Sequence, residues 1–127
     1  MKTSISAGLI LYDILSKDKV VSSMVTSVYP VAADSPQLPY IYYAVTDLTQ
    51  PAPKAVYPWA DTVTAVVACC TADYASGAEL AEAVRTALDH ARGSLSGLVM
   101  RSCTLTGYTE TWEDDAFVRT LTFTIKI

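Results

Sequence analysis

The chain has 127 residues, 51% of them hydrophobic and 17% charged, with a formal net charge of −4 at pH 7. That length suits one domain over residues 1–127 with its own core, and the composition excludes a disordered chain. Nine Lys and Arg lie scattered, so there is no basic footprint for nucleic acid, and no run approaches the roughly 20 apolar residues of a membrane helix.

Mean hydropathy is +0.29, apolar for a soluble monomer, so partners are expected to cover part of the surface. The N-terminal "MKTSISAGLILYDILSKD" reads as an amphipathic helix. Tyr12 and Asp13 interrupt its apolar stretch too early for a signal peptide, and no small-x-small cleavage site follows. The helix is expected from about Ser4 to Ser16, with Ile5, Leu9, Tyr12 and Leu15 on one stripe and Ile10 and Ile14 beside it. Asp18 suits the cap of a second short piece holding Val20, Val21 and Met24. A brief strand follows around residues 27–31.

Residues 39–47, "PYIYYAVTD", are β-branched and aromatic and predict a strand. The next segment, "LTQPAPKAVYPW" from Leu48 to Trp59, carries three prolines and is too long for a tight hairpin. Its Leu48, Val56, Tyr57 and Trp59 have little scaffold of their own, which makes them interface candidates unless they fold back on the domain. A strand from Asp61 to Thr71 would put Val63, Ala65, Val67 and Cys69 on one face. Thr62, Thr64, Val66, Ala68 and Cys70 would point the other way.

The segment "TADYASGAELAEAVRTALDHARG", 71–93, is the clearest helix. Leu80, Val84 and Leu88 stand at i, i+4 and i+8, with Ala83, Ala87 and Ala91 allowing close approach. Ser76 and Glu79 have capping-box spacing, and Asp73 is an alternative cap one turn earlier. His90 and Arg92 suit the negative end of the helix, and Gly93 suits its stop. Two strands, at about residues 98–109 and 116–127, close the chain, joined by the acidic "ETWEDD". The order predicts an α+β fold, an antiparallel or mixed sheet of about four to five strands with two main helices on one face. The Thr-rich opposite face suits cover by another subunit.

No residue set presents convincing chemistry. His90 is the only histidine, and its place at a helix end fits dipole stabilisation better than catalysis. Cys69 and Cys70 would point to opposite faces of a strand and cannot share one ion, so they read as buried small hydrophobes, with a disulfide to Cys103 left open. Glu110, Glu113, Asp114 and Asp115 lack calcium-loop spacing and read as a hairpin tip. The glycines of "ARGSLSGL" follow a helix and precede a strand, the wrong order for a dinucleotide turn. Tyr40, Tyr42 and Tyr43 lack the flanking cations of a base-stacking surface.

The succession "AGLILYDILSKDKVV", "SVYPVAADSPQLPYIYYAV", "CCTADYASGAELAEAVRTAL" and "FVRTLTFTIKI" resembles the tail-completion family of long-tailed bacteriophages and prophages. These are small tail-terminator or head–tail joining proteins. The resemblance implies a structural virion protein without catalytic residues, cofactor or metal. It would form a homo-oligomeric ring, a hexamer, capping the tail tube and docking it to the head connector, with DNA passing through and assembly in the host cytoplasm. Part of the acid charge, concentrated at Asp61 and in the "ETWEDD" tip with Glu113, Asp114 and Asp115, would then line the channel, where repulsion keeps DNA mobile; the alternative is an outer-rim position serving solubility alone. Two other readings stand beside it. One is an adaptor binding one protein through its sheet edge; the other is a small enzyme using a carboxylate such as Asp61 or Glu113.

Overall fold

The computed structural model describes residues 3–31, 36–50 and 61–127. A 3-10 turn, Ser4–Ser6, leads into helices α1 (Ala7–Lys17) and α2 (Lys19–Met24). Strands β1 (Ser27–Pro30), β2 (Tyr40–Thr49) and β3 (Thr62–Thr71) precede helix α3 (Tyr74–Leu88). The small strands β4 (Gly93–Leu95) and β5 (Leu98–Met100) come next, and β6 (Ser102–Glu113) and β7 (Ala116–Lys126) complete the fold. The main sheet has five strands in the order β1-β2-β3-β7-β6, while β4 and β5 form a separate pair. Among the described strands only β1 and β2 run parallel, and the other neighbouring pairs are antiparallel. This is the α+β architecture expected from the sequence, with a mixed sheet.

Strand alternation creates the core. Val63, Ala65, Val67 and Cys69 of β3 share a face with Ile41 and Tyr43 of β2 and with Leu121, Phe123 and Ile125 of β7. Leu80, Val84 and Leu88 of α3 pack on that face beside Ala7, Ile10, Leu11 and Leu15 of α1. Each fully buried Leu, Ile, Val or Phe contributes about 1.5–3 kcal/mol of apolar transfer, so this layer dominates stability.

Leu15 and Ile10 are buried as expected, but the rest of the expected stripe is not. Ala7, Ile10, Leu11 and Leu15 face the core, whereas Ile5, Leu9 and Tyr12 are 79%, 44% and 45% exposed. A helix apolar on most sides offers two stripes of similar hydrophobicity, and local period cannot choose between them. The sheet takes the one containing the small Ala7, which lets the helix approach closely.

Asp18 caps α2 as expected, its carboxylate accepting from Val20 and Val21 N–H at 3.0 Å. For α3 the choice falls on Asp73, which accepts from Ser76 N–H at 3.1 Å; Ser76 lies inside the helix, so the expected Ser76–Glu79 box is not the cap. At the other end the stop is not Gly93, which belongs to β4. The helix ends at Leu88, and His90 takes the left-handed conformation at φ 67°. A hydrogen bond from its N–H to Cys103 O at 2.7 Å fixes the chain there. The "ETWEDD" segment is also more regular than expected. Strand β6 continues to Glu113, and only Asp114 and Asp115 turn, both at positive φ, 50° and 60°. Asp tolerates that conformation in a two-residue hairpin turn.

Candidate interaction surfaces

The sheet ends in two flanks of opposite character, β6 on one side and β1 on the other. Strand β6 is itself divided. Its first half is sealed by the corner after α3, where Leu105 N–H donates to the Asp89 carboxylate at 3.0 Å and Cys103 O accepts from His90 N–H. The hydrogen bond from Leu105, with lesser help from His90 and Arg85, holds the Asp89 carboxyl below its ordinary pKa. Past the bulge between Leu105 and Gly107, residues 108–113 have no described strand on their outer side. An unpaired edge of that kind is a ready surface for another chain.

Beneath this open half lies Arg119, only 4% exposed. Strand parity places it on the core face with Leu121 and Phe123, opposite Cys69 and Glu110. Its guanidinium donates to the Tyr108 hydroxyl, to Glu110 Oε2 at 3.1 Å and to Tyr74 O at 2.9 Å. It also stacks on the Tyr74 ring, 4.2 Å from the centroid. Burial works against the charge, but the hydrogen bonds to Tyr108 and Tyr74 and the Glu110 charge raise the Arg119 pKa above its usual value. Helix α3 reaches this site through Gly77. A Cβ there would lie 2.7 Å from Thr71 Oγ1 and 2.8 Å from Arg119 Nε.

An aromatic row completes this flank. Trp112 packs on Phe117 at 4.6 Å between ring centroids, and Phe117 on Tyr74 at 5.8 Å. Trp112 and Tyr74 remain 55% and 56% exposed, and Tyr108 is 45% exposed. Trp, Tyr and Arg in one partly buried cluster match the composition of interface hot spots. This group was not among the interface candidates expected from the sequence. The available signal was parity, since an arginine in "FVRTLTFTIKI" at an inward position needs internal partners.

The β1 flank is apolar. Ile5, Gly8 and Leu9 of the N-terminal helical segment and Pro30, Val31, Tyr43 and Val45 line an open groove of about 440 Å³. Val31 is 70% exposed and sits at φ 62°, which is costly for a β-branched residue. The outer sheet face is different again. Thr62, Thr64, Thr120, Thr122 and Thr124 are half-buried there, and the described helices pack on the other face.

The interface candidates from the sequence separate. Leu48 lies within β2, half-buried against the core and opposite Val63. Val56, Tyr57 and Trp59 lie outside the described residues. Glu113, Asp114 and Asp115 sit together, exposed, at the β6–β7 tip. Asp61, one of the two carboxylates considered for catalysis, accepts from the buried Ser4 hydroxyl and pairs through its backbone with Ile127. Glu113 is at the opposite end of β7, so the two do not form a pair. Cys69, Cys70 and Cys103 are free and buried. Burial pushes the Cys69 and Cys103 thiols up to about 12, which makes them poor nucleophiles. Among the described residues no group of three or more His, Cys, Asp or Glu could hold a metal ion, and no helix is long and apolar enough to cross a membrane.

An α+β fold whose exposed aromatic and apolar side chains gather on its flanks has the surface of an assembly component. Residues 10–127 match the tail completion protein gp17 family, and the chain belongs to that family. It is a structural protein of phage tails and a virion component. A chain in the virion of a native gene transfer agent particle is similar in fold, with TM-score 0.72 and 21% identity over 91% of this chain and 90% of that one. No curated protein matches the chain.

Proposed function

We propose that this protein terminates the tail, assembling as a ring of six that caps the tail tube and joins it to the head connector. Family membership over nearly the whole chain supports the tail role. The observation that carries the ring is the gathering of exposed Trp, Tyr, Leu and Ile on the two flanks of one sheet. A ring uses two different patches on every copy, whereas a two-fold dimer uses one. DNA passes through the ring, and the exposed Glu113, Asp114 and Asp115 tip faces the channel, repelling phosphates so that the duplex slides. An adaptor that binds once through the open half of β6 is the second reading; it puts one copy on each tail.

Electron microscopy of the phage's own tails, carrying either this protein or its Glu113→Lys/Asp114→Lys/Asp115→Lys variant, tests the proposal. The wild type should add a six-fold ring at the head-proximal end of the tube. The variant should make normal tails that deliver DNA poorly and bind duplex in a salt-sensitive way. A single copy per tail overturns the ring, and unchanged delivery with no DNA retention overturns the channel placement.

A further inference from the structure

Strand β6 ends the main sheet. Beyond its bulge, residues 108–113 pair with β7 on one side and, among the described residues, with no strand on the other. Such an edge carries a row of N–H and C=O groups at the spacing of an extended chain, so its geometric complement is another extended backbone. Helix α3 runs beside this edge, and a cavity of about 260 Å³ lies between them. Ala78 and Ala81 line it from the helix, Leu105 and Tyr108 from β6, and Leu121 from β7. That volume is below the roughly 300 Å³ at which small-molecule pockets begin, and it suits a single aliphatic side chain. A strand added to β6 would send every second side chain to the α3 side of the sheet, where one of them meets the cavity.

Charge narrows the partner. At the cavity Arg119 is tied to Glu110 at 3.1 Å, and Arg85 lies 3.6 Å from Asp89. Glu82, exposed on the rim, has no ion pair among the described residues. The uncompensated charge at the mouth is therefore negative and calls for a lysine or arginine on the incoming segment. A second copy of this chain answers that poorly. Its net charge is −4, and the other edge of its main sheet, β1, has four residues and ends in Pro30, which has no N–H to donate.

We propose that the open half of β6 takes an added strand from a different virion protein, with an aliphatic side chain against Ala78 and Ala81 and a basic residue at Glu82. This rests on the edge-binding reading above and names the chemistry of what binds; it holds with one copy on each tail or with six. Tyr74, Phe117 and Trp112 do not line the cavity, which leaves the aromatic row to a neighbouring subunit.

Hydrogen exchange on the phage's own tails tests it. Amides of residues 108–113 should exchange about tenfold or more slowly in tails carrying the protein than in the free chain, because strand pairing closes them to water. In mixed assembly against wild type, Ala78→Leu fills the cavity and should lose by about tenfold. Glu82→Lys reverses the rim charge and should lose by about fivefold; it carries the test should Ala78→Leu lose its native circular dichroism. Exchange at 108–113 as fast in tails as in the free chain would overturn the added strand. Slowed exchange in oligomers of this protein alone would put a second copy on the edge and overturn the choice of partner. Incorporation of both variants on equal terms with wild type would overturn the cavity contact. A single copy on each tail with 108–113 protected would overturn the ring and support this proposal.

Discussion

The β6 and β1 flanks solve the same problem, finishing a sheet, by different means. At β6 the core runs out against an arginine whose two terminal nitrogens are tied to Tyr74, Tyr108 and Glu110. At β1 it runs out against the unused side of α1, where Leu9 and Tyr12 stay partly exposed. A hydrogen-bonded edge is rigid and directional; an apolar edge is adaptable and costs little to rearrange. The difference shows where each flank is vulnerable, the first to loss of a polar partner and the second to loss of packing volume.

The largest effect should come from the β1 side. Leu11→Ala removes a side chain with 0% exposure and should cost about 3–4 kcal/mol in denaturant unfolding, through lost transfer energy and the cavity left behind. Leu9→Ala, two positions away on the exposed side, should cost less than about 1 kcal/mol. A larger loss for Leu9→Ala than for Leu11→Ala would mean that α1 packs through the other stripe. The pair therefore tests the helix rotation directly.

Arg119→Ala probes the β6 side and should cost about 2–3 kcal/mol, because Tyr74 O and the Tyr108 hydroxyl lose a buried donor. Glu110 is partly exposed and can return to water, which keeps the loss below that of a fully buried pair. The same change should weaken ring assembly at permissive temperature if the cluster of Arg119, Tyr74 and Tyr108 belongs to an interface. A stability loss with normal assembly would leave Arg119 a purely internal brace.

The smallest effect concerns the start of α3. Asp73→Ala should lower the melting temperature by a few degrees, and Ser76→Ala by about one degree or less, since the cap is the Asp73 carboxylate. Hydrogen bonding to Ser76 depresses the Asp73 pKa. Its contribution is therefore present above the ordinary Asp value, about 3.9, and is lost as pH falls through the lower folded value. The gap between wild type and Asp73→Ala should close in that acid window. A gap unchanged down to the most acid pH would show that the carboxylate is not the stabilising acceptor.

Much of the fold was legible because local physics specified it. Alternation fixed the inward face of β3 as Val63, Ala65, Val67 and Cys69, and the 3.6-residue period placed Leu80, Val84 and Leu88 together on α3. Asp18 had one helix start to serve and capped it. These are decisions among neighbours in sequence, where period 2 or 3.6 leaves one good answer. Tertiary structure decided whatever had two local answers. Two stripes of α1 were equally apolar, and contact with the sheet chose Leu11 over Leu9. Asp73 and Ser76 could each cap α3, and the strand leading in from Thr71 set which one did. His90 took the left-handed stop because its N–H finds Cys103 O, an acceptor that β6 supplies from beyond the next two strands. Arg119 became a buried anchor only when β6 supplied Tyr108 and Glu110 and α3 came close over Gly77. A residue's alternatives are local, but the partner that picks one of them arrives from another part of the chain.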